Sequence, residues 1–101
     1  MMTVITEIEI ASGQEPQWDR AFQERFVDAR QQPGWVAMQL LIPLDAPNKR
    51  AVVGTWQSRA DWEAWHATDV FQRTREEMNR VEQSDGEERW FEVVSREAME
   101  S

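Results

Sequence analysis

The chain has 101 residues and carries 11 Lys and Arg against 19 Asp and Glu, a formal charge of −8 with its single histidine counted as neutral. That length holds one domain rather than two independent cores, and 41% hydrophobic with 30% charged residues suits a globular fold rather than a disordered chain. The acidic balance excludes a large nucleic-acid footprint, no apolar run approaches the roughly 18 residues of a membrane span, and with no cysteine and one histidine the chain offers neither thiolate chemistry nor a metal-ligand set.

The first residues, Met1 to Val4, lack the basic and apolar regions of a secretory leader, so a cytoplasmic address is expected. From Thr3 to Ile10 the sequence alternates, with Val4, Thr6, Ile8 and Ile10 on one face and Ile5, Glu7 and Glu9 on the other. Strict period two with β-branched residues predicts a strand, closed by Ser12-Gly13. Pro16 suits the first turn of a helix, and Trp18, Phe22, Phe26 and Ala29 then recur at helical spacing until Pro33-Gly34 stops it. Trp35 to Ile42 predicts a second strand, with Val36, Met38, Leu40 and Ile42 on one face. Trp35, Ala37 and Leu41 make its other face apolar as well, so something must cover each side.

Pro43 to Lys49 reads as a turn-rich connection, and Arg50 to Trp56 as a third strand. Ser58 followed by Asp61 has the form of a helix cap ahead of Trp62, Trp65 and His66. A break is expected near Ala67-Thr68, with Thr68 or Asp69 capping a further helix that carries Val70, Phe71, Thr74, Met78 and Val81. Ser84-Asp85-Gly86 is a loop signal, and Trp90 to Val94 the last strand. These readings predict one domain over residues 1–95 and a polar, fraying tail over 96–101.

The order is β-α-β-β-α-β, which an α+β, ferredoxin-like fold satisfies economically: a four-stranded antiparallel sheet with its helices on one face. The apolar residues on the uncovered face of the second strand then need a cover, and a second copy of the sheet supplies it, so a homodimer is expected. Six Trp and no Tyr point the same way, because so many indoles in a small chain must be hidden in a core, an aromatic pocket or an interface.

Several side chains are candidates for chemistry. His66 is the one group with an ordinary pKa near neutrality and is the natural general base, although a histidine at a helix end beside Trp62 also reads as a structural residue. Trp56 and Trp62 read first as core and dimer-seam aromatics. Of Trp62 and Trp65, one faces the sheet and the other the edge of the helical layer. Arg73, Arg75 and Arg80 lie among acids on a solvated face, where one arginine turned inward would hold a phenolate or carboxylate. Glu7 and Glu9 read as an exposed polar face rather than a catalytic pair.

Pro33-Gly34-Trp35 with Gln39-Leu40-Leu41 and Pro43, then Val53 with Trp56 and Ser58, then Trp62 with Trp65 and Phe71, together resemble the antibiotic biosynthesis monooxygenase family. The resemblance runs from about Val4 to Val94 and implies a dimeric α+β barrel. It implies activities ranging from cofactor-independent oxidation of polyketide phenols, through quinol oxygenation, to haem degradation. Members that degrade haem carry an Asn on the first strand, a Trp on the second helix and an iron-ligating His about ten residues later. Here those positions hold Thr6, Trp65 and either Arg75 or Thr74. Members that oxidise anthrones match at Trp56, while the Asn four residues before it is Val52 in this chain.

The resemblance therefore implies, first, a monooxygenase that uses no cofactor and oxidises a small aromatic, polyketide- or quinol-type metabolite with O₂. A haem-binding or haem-degrading enzyme and a non-catalytic dimeric ligand-binding module are the alternatives. In the first reading the substrate supplies the electrons, and the catalytic residues are His66, Arg75 and Trp65. Thr6, Met38, Val52, Trp56, Phe71 and Met78 bind the substrate, with no metal and no nucleic-acid or membrane partner. The pocket is expected between sheet and helices, lined by Thr6, Ile8, Val36, Met38, Val52, Trp65, Phe71, Arg75 and Met78, with Thr6 and Arg75 as its polar points.

Overall fold

A computed structural model describes residues 1–84 and 86–97; Asp85 of the expected loop and the last four residues of the expected tail lie outside the described residues. The elements are β1 (Met2–Glu9), α1 (Glu15–Ala29), β2 (Trp35–Leu41), β3 (Lys49–Trp56), α2 (Arg59–His66), α3 (Asp69–Asn79) and β4 (Glu87–Glu92). The strands form one antiparallel sheet in the order β2-β3-β1-β4, the ferredoxin-like arrangement. No helix among the described residues is long and apolar enough to cross a membrane.

The helical segment after β3 is split in two, and Thr68 makes the split. Its hydroxyl donates to the Trp65 carbonyl at 2.7 Å, ending α2, and accepts from the Phe71 N–H at 3.3 Å, opening α3. Ser58 caps α2 in the same way, accepting from the Asp61 N–H at 3.2 Å. The register places Val4, Thr6 and Ile8 of β1 beside Gly54, Val52 and Arg50 of β3, and Met38 and Leu40 of β2 continue the row. Against this face α1 and α3 lay Trp18, Ala21, Phe22 and Met78, and a second buried group joins Ala29, Trp56, Trp65 and Phe71.

Arg50 is buried on the same face and anchors α1 to the sheet. Its Nε and Nη2 donate to the Asp19 carboxylate at 2.9 and 3.0 Å, and its Nη1 to the carbonyls of Pro47 and Lys49 at 2.8 Å each. Bidentate geometry, with four of the five N–H donors engaged, is what makes a largely buried guanidinium tolerable.

Two expectations are corrected here. A β-bulge between Trp35 and Ala37 shifts the register, so Trp35 lies on the helical side with its ring 6.4 Å from Phe26 rather than opposite Met38 and Leu40. The last strand runs over Glu87–Glu92 rather than Trp90 to Val94. Gly86, at φ +76°, turns the chain so tightly against β1 that a Cβ would meet Ile8 Cγ2 at 2.9 Å, and pairing therefore starts at Glu87 opposite Glu7.

Gly34 explains the Pro-Gly-aromatic turn. It stands at φ +83°, where a side chain would be driven into Asp61, and its carbonyl accepts the Gln57 N–H at 2.7 Å, joining the end of β3 to the start of β2. On the helix-free face of the sheet, Ile5 pairs with Val53, and Thr3 pairs with both Thr55 and Phe91. Leu41 at the edge of that face and Leu44 just beyond it are exposed.

Candidate functional site

A cavity of about 120 Å³ lies between the sheet and the helices. Thr6, Met38, Val52, Gly54 and Trp56 line it from the strands, and Trp18, Phe22 and Arg25 from α1. Trp62, Trp65 and His66 of α2, Phe71 and Met78 of α3, Glu82 beyond α3 and Glu88 of β4 complete it. Of the residues expected in the pocket, Thr6, Ile8, Met38, Val52, Trp65, Phe71 and Met78 are brought together there, as are Trp56 and His66. Val36 and Arg75 are not among the lining residues. Val36 sits in the bulge, outside the regular alternation that would have aimed it at the helices.

Arg75 is exposed and lies at a separate, polar depression with Asn79, Gln83 and Ser84. The cation in the cavity wall is instead Arg25. The sequence carries the signal: Arg25 follows Trp18 by seven positions and Phe22 by three, on the apolar stripe of α1, where an arginine is out of pattern. A larger open cleft of about 530 Å³ at the Glu9 end of β1 is lined by acids such as Glu7, Glu9 and Asp45, and no described aromatic side chain lines it.

His66 is the last residue of α2, and its ring is packed among aromatics: Trp62 at 3.7 Å, Phe71 at 4.0 Å and Trp65 at 5.0 Å between centroids. Its Nδ1 lies 2.8 Å from the Trp62 carbonyl oxygen. A carbonyl only accepts, so Nδ1 carries the proton and the neutral ring keeps its lone pair on Nε2. Burial pushes the imidazole below its ordinary value, the Trp62 carbonyl opposes this, and the charge of Arg25 lowers it further. At neutral pH the ring is a free base.

Trp65 is buried, stacks on Trp56 at 5.1 Å and meets Phe71 edge-on at 4.7 Å. Its indole N–H is buried with no partner among the described residues, a costly state for a donor unless something is bound to it. Trp62 is half-buried and continues the aromatic wall to Trp90, 4.6 Å away. The arrangement is thus a base, a cation and an unused N–H donor around a small, mostly aromatic space.

The family profile for antibiotic biosynthesis monooxygenases matches residues 1–77. The chain belongs to that family. Solved structures agree in fold: a protein from Nitrosomonas europaea superposes with a TM-score of 0.89 at 13% identity, covering 92% of this chain and 89% of that one. An antibiotic biosynthesis monooxygenase gives 0.87 at 23% identity, over 94% and 100% of the two chains. SnoaB from Streptomyces nogalater, described as a cofactor-independent oxygenase, gives 0.83 at 17% identity over 94% of each. No curated protein matches the chain significantly.

Within the antibiotic biosynthesis monooxygenase fold, haem does not fit the residues of this chain. The position that holds the iron-ligating histidine in haem-degrading relatives falls on Thr74 or Arg75. Thr74 is fully buried with its hydroxyl engaged by Arg25, Val70 and Phe71, and Arg75 lies outside the cavity. A space of about 120 Å³ is also far too small for a tetrapyrrole, since even drug-sized ligands occupy pockets of about 300 Å³ and more.

Proposed function

We propose that this protein is a cofactor-independent monooxygenase that oxidises a small aromatic or quinol-type metabolite with O₂. The observation that carries the reading is the position of His66: a neutral imidazole, its Nε2 without a partner among the described residues, held against the aromatic wall of a small cavity. Membership of the family and the likeness to SnoaB, itself a cofactor-independent oxygenase, support it.

The chemistry follows from what such a site supplies. Nε2 of His66 takes a proton from a phenolic or enolic substrate, leaving an electron-rich anion in surroundings that exclude water. The anion passes one electron to O₂, and the resulting superoxide and substrate radical combine into a C–O–O bond. Protonation by the imidazolium gives a hydroperoxide on a carbon that still bears hydrogen. Loss of that hydrogen with cleavage of the O–O bond leaves a carbonyl and releases water. One oxygen atom ends in the product and one in water, and all four electrons come from the substrate. We assign the N–H of Trp65, a lining residue whose indole nitrogen has no partner among the described residues, as the donor to an oxygen atom on which charge develops.

The test is oxygen uptake by the purified, chelator-treated protein over a panel of hydroquinones and other single-ring phenols. The reading expects consumption of one O₂ per substrate oxidised for at least one compound. Compounds that bind the protein without raising uptake above the uncatalysed rate would leave a binding module in its place.

We also propose that the functional unit is a homodimer joined through the helix-free face of the sheet. The apolar side chains of Ile5, Val53 and Phe91 stand on that face, and the exposed Leu41 and Leu44 extend it. Sedimentation at micromolar concentration should give twice the 11.9 kDa chain mass; a monomer would refute the proposal.

A further inference from the structure

We propose that Arg25 is the anion-holding residue of the cavity, and that the substrate is a single-ring compound presenting one ionised oxygen to it. The inference rests on the reading of this cavity as the substrate site and adds the class of ligand. The guanidinium is fixed on two sides. Its Nε donates to Thr74 Oγ1 at 3.1 Å, and its carbon lies 4.1 Å from the Phe71 ring centroid. Thr74 is itself immobilised: it is fully buried, and its one hydroxyl hydrogen goes to the carbonyl of Val70 at 2.8 Å or of Phe71 at 3.0 Å. Its oxygen is therefore left to accept from Arg25 in a single orientation.

With the Nε edge and the flat face engaged, the terminal amino groups of Arg25 remain. Among the described residues no acceptor meets them, and Arg25 is absent from the salt bridges. A part-buried guanidinium with its fork unoccupied is built for a planar oxyanion, which it binds through two parallel N–H donors. The two acids in the cavity wall do not fill that role. Glu82 accepts the indole N–H of Trp18 at 3.4 Å; it and Arg25 attract one another through space, yet the two form no ion pair or hydrogen bond. Glu88 is exposed and accepts the Trp90 indole N–H at 2.8 Å. Burial lowers Arg25 only to about 10, so it remains a cation at neutral pH.

Position and size complete the inference. His66 and Arg25 both lie against the Phe71 ring, at 4.0 and 4.1 Å, so the base that removes a proton and the cation that receives the charge are within reach of one small molecule. The space of about 120 Å³ is close to the roughly 150 Å³ of a cavity known to hold benzene, which sets the limit at one ring.

Binding of benzoate and of its neutral isostere benzamide to the intact protein, followed by tryptophan fluorescence, tests this without any turnover. The wild-type protein should bind benzoate about tenfold or more tightly than benzamide, as a charge-assisted pair requires. Arg25→Gln should bring the two affinities together. Arg25→Lys should keep part of the preference, and Arg80→Gln, altering an exposed charge away from the cavity, all of it. Equal affinities in the wild-type protein, a preference that survives Arg25→Gln, or no binding of either probe at millimolar concentration would each overturn the proposal. Oxygen uptake is a separate reading. A protein that selects benzoate through Arg25 but consumes no O₂ with phenols keeps this inference and loses the oxygenase.

Discussion

Replacing Trp56 with alanine should destabilise the domain by about 3–5 kcal/mol, the usual cost of deleting a fully buried large aromatic. Trp56 is 0% exposed, and its neighbours are fixed from three sides: Trp65 stacked at 5.1 Å, Ala29 and Phe71 in the same buried group, and Met2 and Trp35 paired with it across the sheet. They cannot close over the void, so most of the lost contact is unrecovered. A domain of this size has about 5–15 kcal/mol in total, so the urea midpoint should fall by about a fifth or more with little change in slope. The same substitution joins the void to the candidate cavity, which should loosen ligand binding even where the fold survives. A loss below about 1 kcal/mol would mean that Trp56 is a pliable cavity wall rather than a fixed part of the core.

The second large effect is expected at His66. His66→Ala should lower the rate of oxygen uptake by about 10²–10⁴-fold, the span of a positioned general base, while leaving the stacked tryptophans in place. The pH profile distinguishes a base from a spacer. Burial holds the imidazole below its ordinary value of 6.5, so uptake by the wild-type protein should rise with pH through an apparent pKa below that figure and be level by neutrality. The variant should show no such step. Stability carries the same sign: the unfolded imidazole binds its proton more readily than the folded one, so stability falls as pH drops through the unfolded value and levels off below the folded one. A variant with wild-type rate and an unchanged profile would remove His66 from the chemistry.

Much of the fold was legible in the sequence because its signals are local. Alternation over Thr3 to Ile10, Pro16 in the first turn of α1, and Ser58 and Thr68 as caps each act within a few residues. What the sequence concealed depends on contacts between distant segments. The bulge that turns Trp35 toward Phe26 is a property of the β2–β3 pairing, and the early start of β4 is set by Gly86 pressed against β1. Neither is visible in the periodicity of its own strand.

The candidate site divides along the same line. Thr6, Met38, Val52, Trp65, Phe71 and Met78 converge on one cavity because strand and helix periods fix which side chains share a face. The cation could not be found by that route. Arg75 stands where relatives keep a functional residue, yet it is exposed. Arg25 is drawn inward by a hydroxyl on α3 and a ring on the same helix, partners that only the packing of α1 on α3 brings together. An arginine on an apolar stripe was the available clue, and it marks a residue that the helix needs for something other than core packing.

Turnover under isotopically labelled dioxygen is the most direct measurement. The purified protein, freed of metals and given a hydroquinone or other single-ring phenol that supports oxygen uptake, should place one labelled atom in the product and one in water, with no added haem, flavin or metal. Product without label, or labelling that requires an added cofactor, would contradict a monooxygenase that draws its electrons from the substrate alone.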